Sequence, residues 1–295
     1  MAKPTRQGRF RDTEAASGLA LISPTAIYAL LLLAAPMATI LLYSILTDGQ
    51  IGIEWTVTRA NYETVLTGPI YRAIMVRSLI VSFAVTLATV LVAYPIAYFV
   101  SFHVSPSKKS LWLFLITIPF WTSYLIRVFL WKVILGYDGV VSSAIEMAGI
   151  TAGPMSFMTN GAAAMIVTLA HAYAPFAILP IFVALEKIDR SLLEAGQDLG
   201  ETRLRTFWRV TLPLSMSGVI AAVLIVFIPT IGDYVTPDLI GSGKFPMIAN
   251  LIEVQMLKLN HKALGSAIAV LAMLVVAIVS LIFLFLNRRF LGGPR

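Results

Sequence analysis

One stretch of this chain gathers groups that could hold a cation. Asp233 and Tyr234 follow Pro229 and Gly232, and Asp238 lies just beyond. A carboxylate neutralises an ammonium group, and an aromatic face attracts one through its quadrupole. Proline and glycine would interrupt a helix here and leave free carbonyls beside the side chains, a recurrent device where solutes cross membranes. Trp121, Tyr124 and Tyr173 are further aromatic candidates. Taken singly, each reads first as bundle packing or as part of an interfacial belt. Asp233 taken alone reads equally as a solvated acid at a membrane edge.

Residues for bond-breaking chemistry are missing from the pattern. The chain has no cysteine, which excludes disulfides, thiol catalysis and cysteine metal sites. His103, His171 and His261 are widely spaced and show no metal-ligand pattern. No acid falls near the centre of an apolar run, where a membrane-embedded enzyme would need paired acids. Gly241-Ser242-Gly243-Lys244 imitates part of a phosphate-binding loop. However, Phe245 stands where Ser or Thr is required, and Asp238 takes the place of the first glycine.

A second constellation is built for contact. Glu194-Ala195-Gly196-Gln197-Asp198-Leu199-Gly200 is followed, after nine residues, by Val210-Thr211-Leu212-Pro213. Ser191 and Glu194 have the spacing of a capping box, in which each side chain satisfies the other's amide. A short helix to about Leu199 would carry Leu192, Leu193, Ala195 and Leu199 as an apolar stripe. Gly200 would end it, since glycine accepts the left-handed conformation. A basic turn with Arg203, Arg205 and Arg209 follows. Pro213 then falls in the first turn of the next helix, where its missing amide costs little.

Composition decides what these groups are embedded in. Of 295 residues, 58% are hydrophobic and 13% charged, against roughly 25% charged in soluble domains. Lipid is the solvent such a chain requires. Six segments have the length and apolarity of spans: 19–46, 74–102, 111–136, 161–185, 210–232 and 263–287. A bilayer core takes about 20 residues of helix. The first run is too long for a cleaved signal and reads as a retained span. The layout is a cytoplasmic tail 1–18, a bundle 19–287 with a polar loop 186–209, and a tail 288–295.

Basic residues orient the bundle. Lys3, Arg6, Arg9, Arg11, Lys108, Lys109, Lys187, Arg190, Arg203, Arg205, Arg209, Arg288, Arg289 and Arg295 fall on one side. Arg59, Arg72, Lys244, Lys258 and Lys262 fall on the other. The positive-inside rule puts both termini and the Glu194 loop in the cytoplasm. This spread over loops also argues against a nucleic-acid partner, despite the net charge of +7. The outer loops carry Asp48, Glu54, Glu63, Asp138, Glu146, Asp233, Asp238 and Glu253, a net acidic mouth that favours a cationic solute. Arg127 falls about 24 Å along the third span at 1.5 Å per residue. It would snorkel outward or pair with an outer acid. His171, within the fourth span, reads as packing or a hydrogen bond to a neighbouring helix. Residues 247–259 would form a short helix along the outer face.

The Glu194–Pro213 spacing resembles the EAA loop of permease subunits of binding-protein-dependent ABC importers. Gly196 replaces the second alanine of that pattern and Val210 its isoleucine. Pro119-Phe120-Trp121-Thr122-Ser123-Tyr124-Leu125-Ile126-Arg127, Ala174-Pro175-Phe176-Ala177-Ile178-Leu179-Pro180 and the run from Ile228 to Leu239 resemble the spermidine and putrescine branch. The resemblance spans about residues 60 to 286. It implies an all-α integral membrane protein with the six-helix bundle of a type I ABC importer permease. It further implies a second, different permease chain, two cytoplasmic ATPase subunits and a periplasmic substrate-binding protein, in a bacterial inner membrane. ATP and Mg would be used by the ATPases, with no cofactor or metal on this chain. Glu194, Ala195, Gly196, Asp198, Leu199, Gly200, Arg203, Leu212 and Pro213 would couple to the ATPase. Trp121, Tyr124, Tyr173, Asp233, Tyr234 and Asp238 would line the path of a small organic cation, a polyamine such as spermidine or putrescine. Opines and amino-acid derivatives are served by the same branch. A stand-alone secondary transporter, the remaining rival, would show internal repeats and buried ionisable residues.

Overall fold

Long helices follow directly from long apolar runs, because a backbone in lipid must satisfy its own amides. The computed structural model describes residues 14–291 except 51, 138, 151–160 and 242. Most of the expected tail 1–18, Asp138 and Arg295 therefore lie outside the described residues. The chain runs through α1 (Glu14–Ser44), the hairpin β1 (Thr47–Gly49) and β2 (Gly52–Glu54), α2 (Ala60–Thr67), α3 (Pro69–Phe102) and α4 (Pro106–Thr117). A 3₁₀ turn at Ile118–Trp121 leads to α5 (Tyr124–Ile134), α6 (Val140–Met147) and α7 (Ala162–Glu186). Then come α8 (Arg190–Asp198), α9 (Arg203–Thr206), a π turn at Phe207–Thr211 and α10 (Leu212–Ile231). The outer return is α11 (Val235–Leu239), α12 (Ile248–Glu253) and a π turn at Val254–Lys258, before the last span α13 (Lys262–Leu286).

Among the described residues, five helical stretches are long and apolar enough to cross a membrane: Gly18–Ser44, Pro69–Phe102, Ala162–Glu186, Arg203–Ile231 and Lys262–Leu286. The expected third span, 111–136, is not one straight helix. Pro106–Trp121 and Tyr124–Ile134 meet at 87°, and the pair makes a sixth span if counted as one. Pro119 removes an amide from the ladder. Thr122 and Ser123 are then extended, with ψ of 145° and 138°. Hydroxyls take up carbonyls around the break: Thr117 Oγ1 donates to Phe114 O at 2.8 Å and Thr122 Oγ1 to Pro119 O at 2.7 Å. Two other boundaries move. The second span begins at Pro69, in a first-turn position that suits proline. The fifth begins at Arg203 rather than 210.

The centre of the bundle is α3, α7 and α10. Ala93, Ala97, Met165, Leu169, Ile181, Leu185, Ala222 and Val226 are fully buried there. Lipid tails are as apolar as leucine, so helices associate through close packing of small residues rather than by escaping solvent. Gly218 of α10 is such a residue, seated tightly against Pro180 and Ala184 of α7. By contrast α1 packs chiefly on α13. It leaves Leu19, Leu21 and Leu33 exposed, as a lipid-facing helix does. Its outer end is pinned by the hairpin, where the Asp48 carboxylate accepts from Ala263 N at 2.8 Å and Leu264 N at 3.0 Å. That contact caps the start of the last span.

The expected outer helix at 247–259 is present as α12 and its π turn. Ser78 of α3 accepts from Ile248 N at 2.8 Å, and Asn250 donates to Tyr234 O at 2.8 Å. These bonds hold α12 onto α3 and onto the end of α10.

Candidate functional site

The polar loop folds as a short helix, but its cap is not the expected one. Asp189, not Ser191, is the N-cap, and its carboxylate accepts from Ser191 N at 2.9 Å. Two capping residues stand two positions apart, and aspartate adds charge at the positive end of the helix. The Ser191 amide therefore holds the Asp189 carboxyl below the usual aspartate range. The cap is complete above the ordinary aspartate pKa and is lost as pH falls through the lowered one. Glu194 is consequently released from capping: it is exposed and has no hydrogen-bond partner among the described residues.

The other end is as the glycine implied. Gly200 has φ +85°. Its amide donates to Gln197 O at 2.9 Å, and Glu201 N donates to Gly196 O at 3.1 Å, the paired bonds of a Schellman cap. Leu192, Ala195, Asp198 and Leu199 are exposed, with Leu199 at 87%. Leu192, Ala195 and Leu199 of the apolar stripe thus face away from the chain's own bundle, while Leu193 is half-buried toward α3. A Cβ on Gly196 would meet Thr206 at 3.4 Å, ordinary contact. Alanine is favoured over glycine inside a helix by about 0.8–1 kcal/mol. Gly196→Ala should accordingly keep full uptake and hold or raise the melting temperature, as thermal unfolding of the purified complex would measure. Loss of more than half the uptake would mean the glycine itself is needed.

The loop is tied to the bundle at both ends. Glu186, at the end of α7, accepts from Lys109 Nζ and Ser101 Oγ, each at 2.6 Å. Arg190 donates to Ser101 O at 3.2 Å and lies 6.0 Å from the Phe102 ring. After Gly200, Thr202 caps α9, accepting from Arg205 N at 3.4 Å. Arg209 pairs with Glu201, while Arg203 is exposed. The helix does not start afresh at Pro213. It widens into the π turn at Phe207–Thr211, where Leu212 N donates to Phe207 O. The wider turn accommodates a residue that brings no amide and crowds the preceding carbonyls. Leu212 and Pro213 are half-buried at this junction. The π turn presents Phe207 edge-on to Tyr94 at 5.6 Å and Tyr98 at 5.9 Å. Tyr94 in turn bonds Ser215 at 2.8 Å. A cleft of about 380 Å³ remains between α8 and the end of α3, lined in part by Tyr98, Phe102, Leu193 and Phe207.

At the outer end, the break after α10 does not expose Asp233 as the sequence suggested. Its side chain is turned inward, at 7% exposure. One oxygen accepts from Val235 N at 3.0 Å and Thr236 N at 3.3 Å, and the other from the Tyr124 hydroxyl at 2.8 Å. The acid caps the first turn of α11 and ties it to α5. Tyr173 lies beside Tyr124, ring centres 6.4 Å apart. Trp121 (77%) and Tyr234 (50%) are exposed, as is Asp238. The bend between α4 and α5 therefore brings Tyr124, Tyr173 and Asp233 together, while the exposed Trp121, Tyr234 and Asp238 make no described side-chain contact with them. Thr236, 2.8 Å from the Tyr124 hydroxyl, belongs to the same cluster and was missed. So were Asp189, Glu186 and Ser101. Only Asp189 had a sequence signal, an acid just ahead of a helix start; the others depend on long-range contacts.

Arg127 neither snorkels to the surface nor pairs with an outer acid among the described residues. Its guanidinium lies over the rings of Phe120 and Tyr124, at 5.6 and 6.0 Å. His171 accepts from Trp131 Nε1 at 3.1 Å, the hydrogen bond to a neighbouring helix that was expected of it.

No set of His, Cys, Asp and Glu among the described residues could hold a metal. A spanning bundle, an exposed amphipathic loop helix and polar groups at the outer helix break together define a membrane transport subunit. The chain belongs to the family described as binding-protein-dependent transport system inner membrane component, which matches residues 90–292. It is 34% identical over 254 residues to the spermidine/putrescine transport system permease protein PotB of Haemophilus influenzae, covering 86% of this chain and 88% of that one. It is 33% identical over 231 residues to PotB of Escherichia coli, covering 78% and 83%. The fold matches a chain of a bacterial alginate ABC transporter, solved in complex with an alginate pentasaccharide-bound periplasmic protein. The TM-score is 0.72 at 18% identity, over 95% of this chain and 98% of that one. This is an ABC importer permease subunit with the type I fold.

Proposed function

We propose that this chain passes a small organic amine from a periplasmic binding protein to the cytoplasm of a bacterium, by alternating access across the inner membrane. Spermidine and putrescine, for which its relatives are named, belong to that solute class. A second permease chain completes the path, and two cytoplasmic ATPase subunits use ATP and Mg to drive it. The observation that carries the reading is the loop helix α8. Leu192, Ala195, Leu199 and Glu194 are turned outward, its start is fastened to α3, α4 and α7, and the turn beyond it packs on α3 through Phe207. A partner that grips α8 moves the bundle through those fastenings. Phe207 against Tyr94 and Tyr98 carries the motion from the loop into the core.

The test is reconstitution of the chain with its partner permease, ATPases and binding protein in proteoliposomes. ATP-dependent uptake of a labelled amine supports the proposal. Equal uptake without the ATPases would place the chain among secondary transporters.

Asp233 gives the path its negative charge. Asp233→Asn keeps the shape and part of the cap, since asparagine also caps helices well. It removes the charge next to Tyr124 and Tyr173. The expected loss in amine uptake corresponds to about 1–2 kcal/mol, because a water-filled path screens the interaction. Expression and binding-protein-stimulated ATP hydrolysis should change less. Wild-type uptake by Asp233→Asn would leave the acid as a structural cap only.

A further inference from the structure

Beside the outer acidic cluster, hydrogen-bond donors are gathered at membrane depth without an acceptor. Arg127 and Trp131 lie one turn apart on α5. Among the described residues, the Arg127 guanidinium makes a single long bond, from Nη1 to Ala172 O at 3.4 Å. Its Nε is buried without a partner, and none of the described ion pairs includes this residue. On the facing helix, His171 Nδ1 accepts from Trp131 Nε1. That bond occupies the acceptor nitrogen of a neutral imidazole, so the ring's hydrogen is on Nε2 and points elsewhere as a donor.

The depth of this donor matters. His171 is exposed on α7, which begins at Ala162. Nine steps of 1.5 Å put it about 14 Å from the outer end of the helix. That is near the middle of a hydrocarbon core about 30 Å thick. An exposed N–H there cannot face lipid without cost, so it faces a polar path or a group that enters one. Asp233 does not supply the missing acceptor: its carboxylate takes two amides and the Tyr124 hydroxyl, and none of the described ion pairs joins it to Arg127. A pure polycation brings only more donors. A solute with a carboxylate brings the acceptor that this face lacks.

We infer that the amine transported by this chain carries a carboxylate, and that Arg127 and His171 receive it while the ammonium end lies toward Tyr124, Tyr173 and Asp233. The solute class is then a basic amino acid or a derivative of one. This narrows the proposed function and rests on it. Guanidinium suits the task, since its planar fork matches a carboxylate.

The experiment compares putrescine with ornithine, which is the same diamine bearing a carboxylate. Binding of each is measured by calorimetry on the assembled permease–ATPase complex, without the binding protein, so that only the membrane site is read. Wild type should bind ornithine about tenfold more tightly, the gain of one charge-assisted contact. Arg127→Gln should abolish the preference, bringing ornithine to the level of putrescine in the same variant. Arg127→Lys should keep part of the preference. His171→Phe, which preserves a ring against Trp131, should lower the preference several-fold. Equal or tighter binding of putrescine, binding of neither probe, or an ornithine preference intact in Arg127→Gln would each overturn the inference. Loss of the partner permease from the variants with the preference intact would overturn it too, and would give these donors to the subunit interface. Failure of the broader reading looks different: wild type with its binding protein would then show no ATP-dependent uptake of any amine.

Discussion

Gly200→Val is expected to cut ATP-driven uptake at least tenfold while the chain still inserts and assembles with its partner permease. Gly200 sits at φ +85°, where a β-branched residue is strained by about 1–2 kcal/mol. The strain falls on a helix of nine residues. Isolated helices that short are marginal, and α8 buries none of its residues in this chain. Opening the Schellman cap therefore frays the surface that a partner must grip. Glu194→Ala acts differently. Asp189 is the cap, so removing the Glu194 side chain costs the loop little of its own structure. Its effect should fall on recovery of the ATPase during co-purification and on the ratio of solute moved to ATP hydrolysed. Unchanged ATPase recovery together with unchanged uptake in both variants would sink the coupling assignment.

These two substitutions also show how far the sequence could be read. Gly200 was legible because only a few conformations end a helix, and one of them calls for glycine. The spans were legible because twenty apolar residues in a row have few other solutions. The bend in the third span was not. Pro119 announced a disturbance, but prolines also lie inside α3, α7 and α10, which continue through them. What separates Pro119 is the extended pair Thr122–Ser123 after it, and tertiary packing sets that. The cap at Asp189 was missed because Ser191 matched a motif equally well, and local rules do not rank two caps this close together. Asp233 was expected on a cavity surface because its hydroxyl partner Tyr124 is 109 residues away. Contacts of that range brought Lys109 and Ser101 onto Glu186 as well, and no periodicity in the chain reports them.

The close contact of Gly218 with α7 makes the other large prediction. A Cβ on Gly218 would stand 2.5 Å from Pro180 O and from Ala184 Cβ, and 3.1 Å from Ile181 Cα. Two of these are backbone atoms, so the obstruction cannot be relieved by turning a side chain. Overpacking of this kind costs about 1–3 kcal/mol in soluble cores. In lipid the added methyls gain nothing from burial that would offset it. Gly218→Val should lower the melting temperature of the complex by several degrees. It should also lower uptake further than expression accounts for. The reason is position: α7 and α10 are the two helices that the loop 186–209 connects, and prising them apart moves both of its anchors. Gly232→Ala is the control, because its added Cβ meets only Pro229 O, at 3.7 Å. It should leave uptake and melting unchanged. If Gly218→Val melts and transports like wild type, α7 and α10 are not held in this close register in the assembled importer, and the path from loop to core must run through α3 alone.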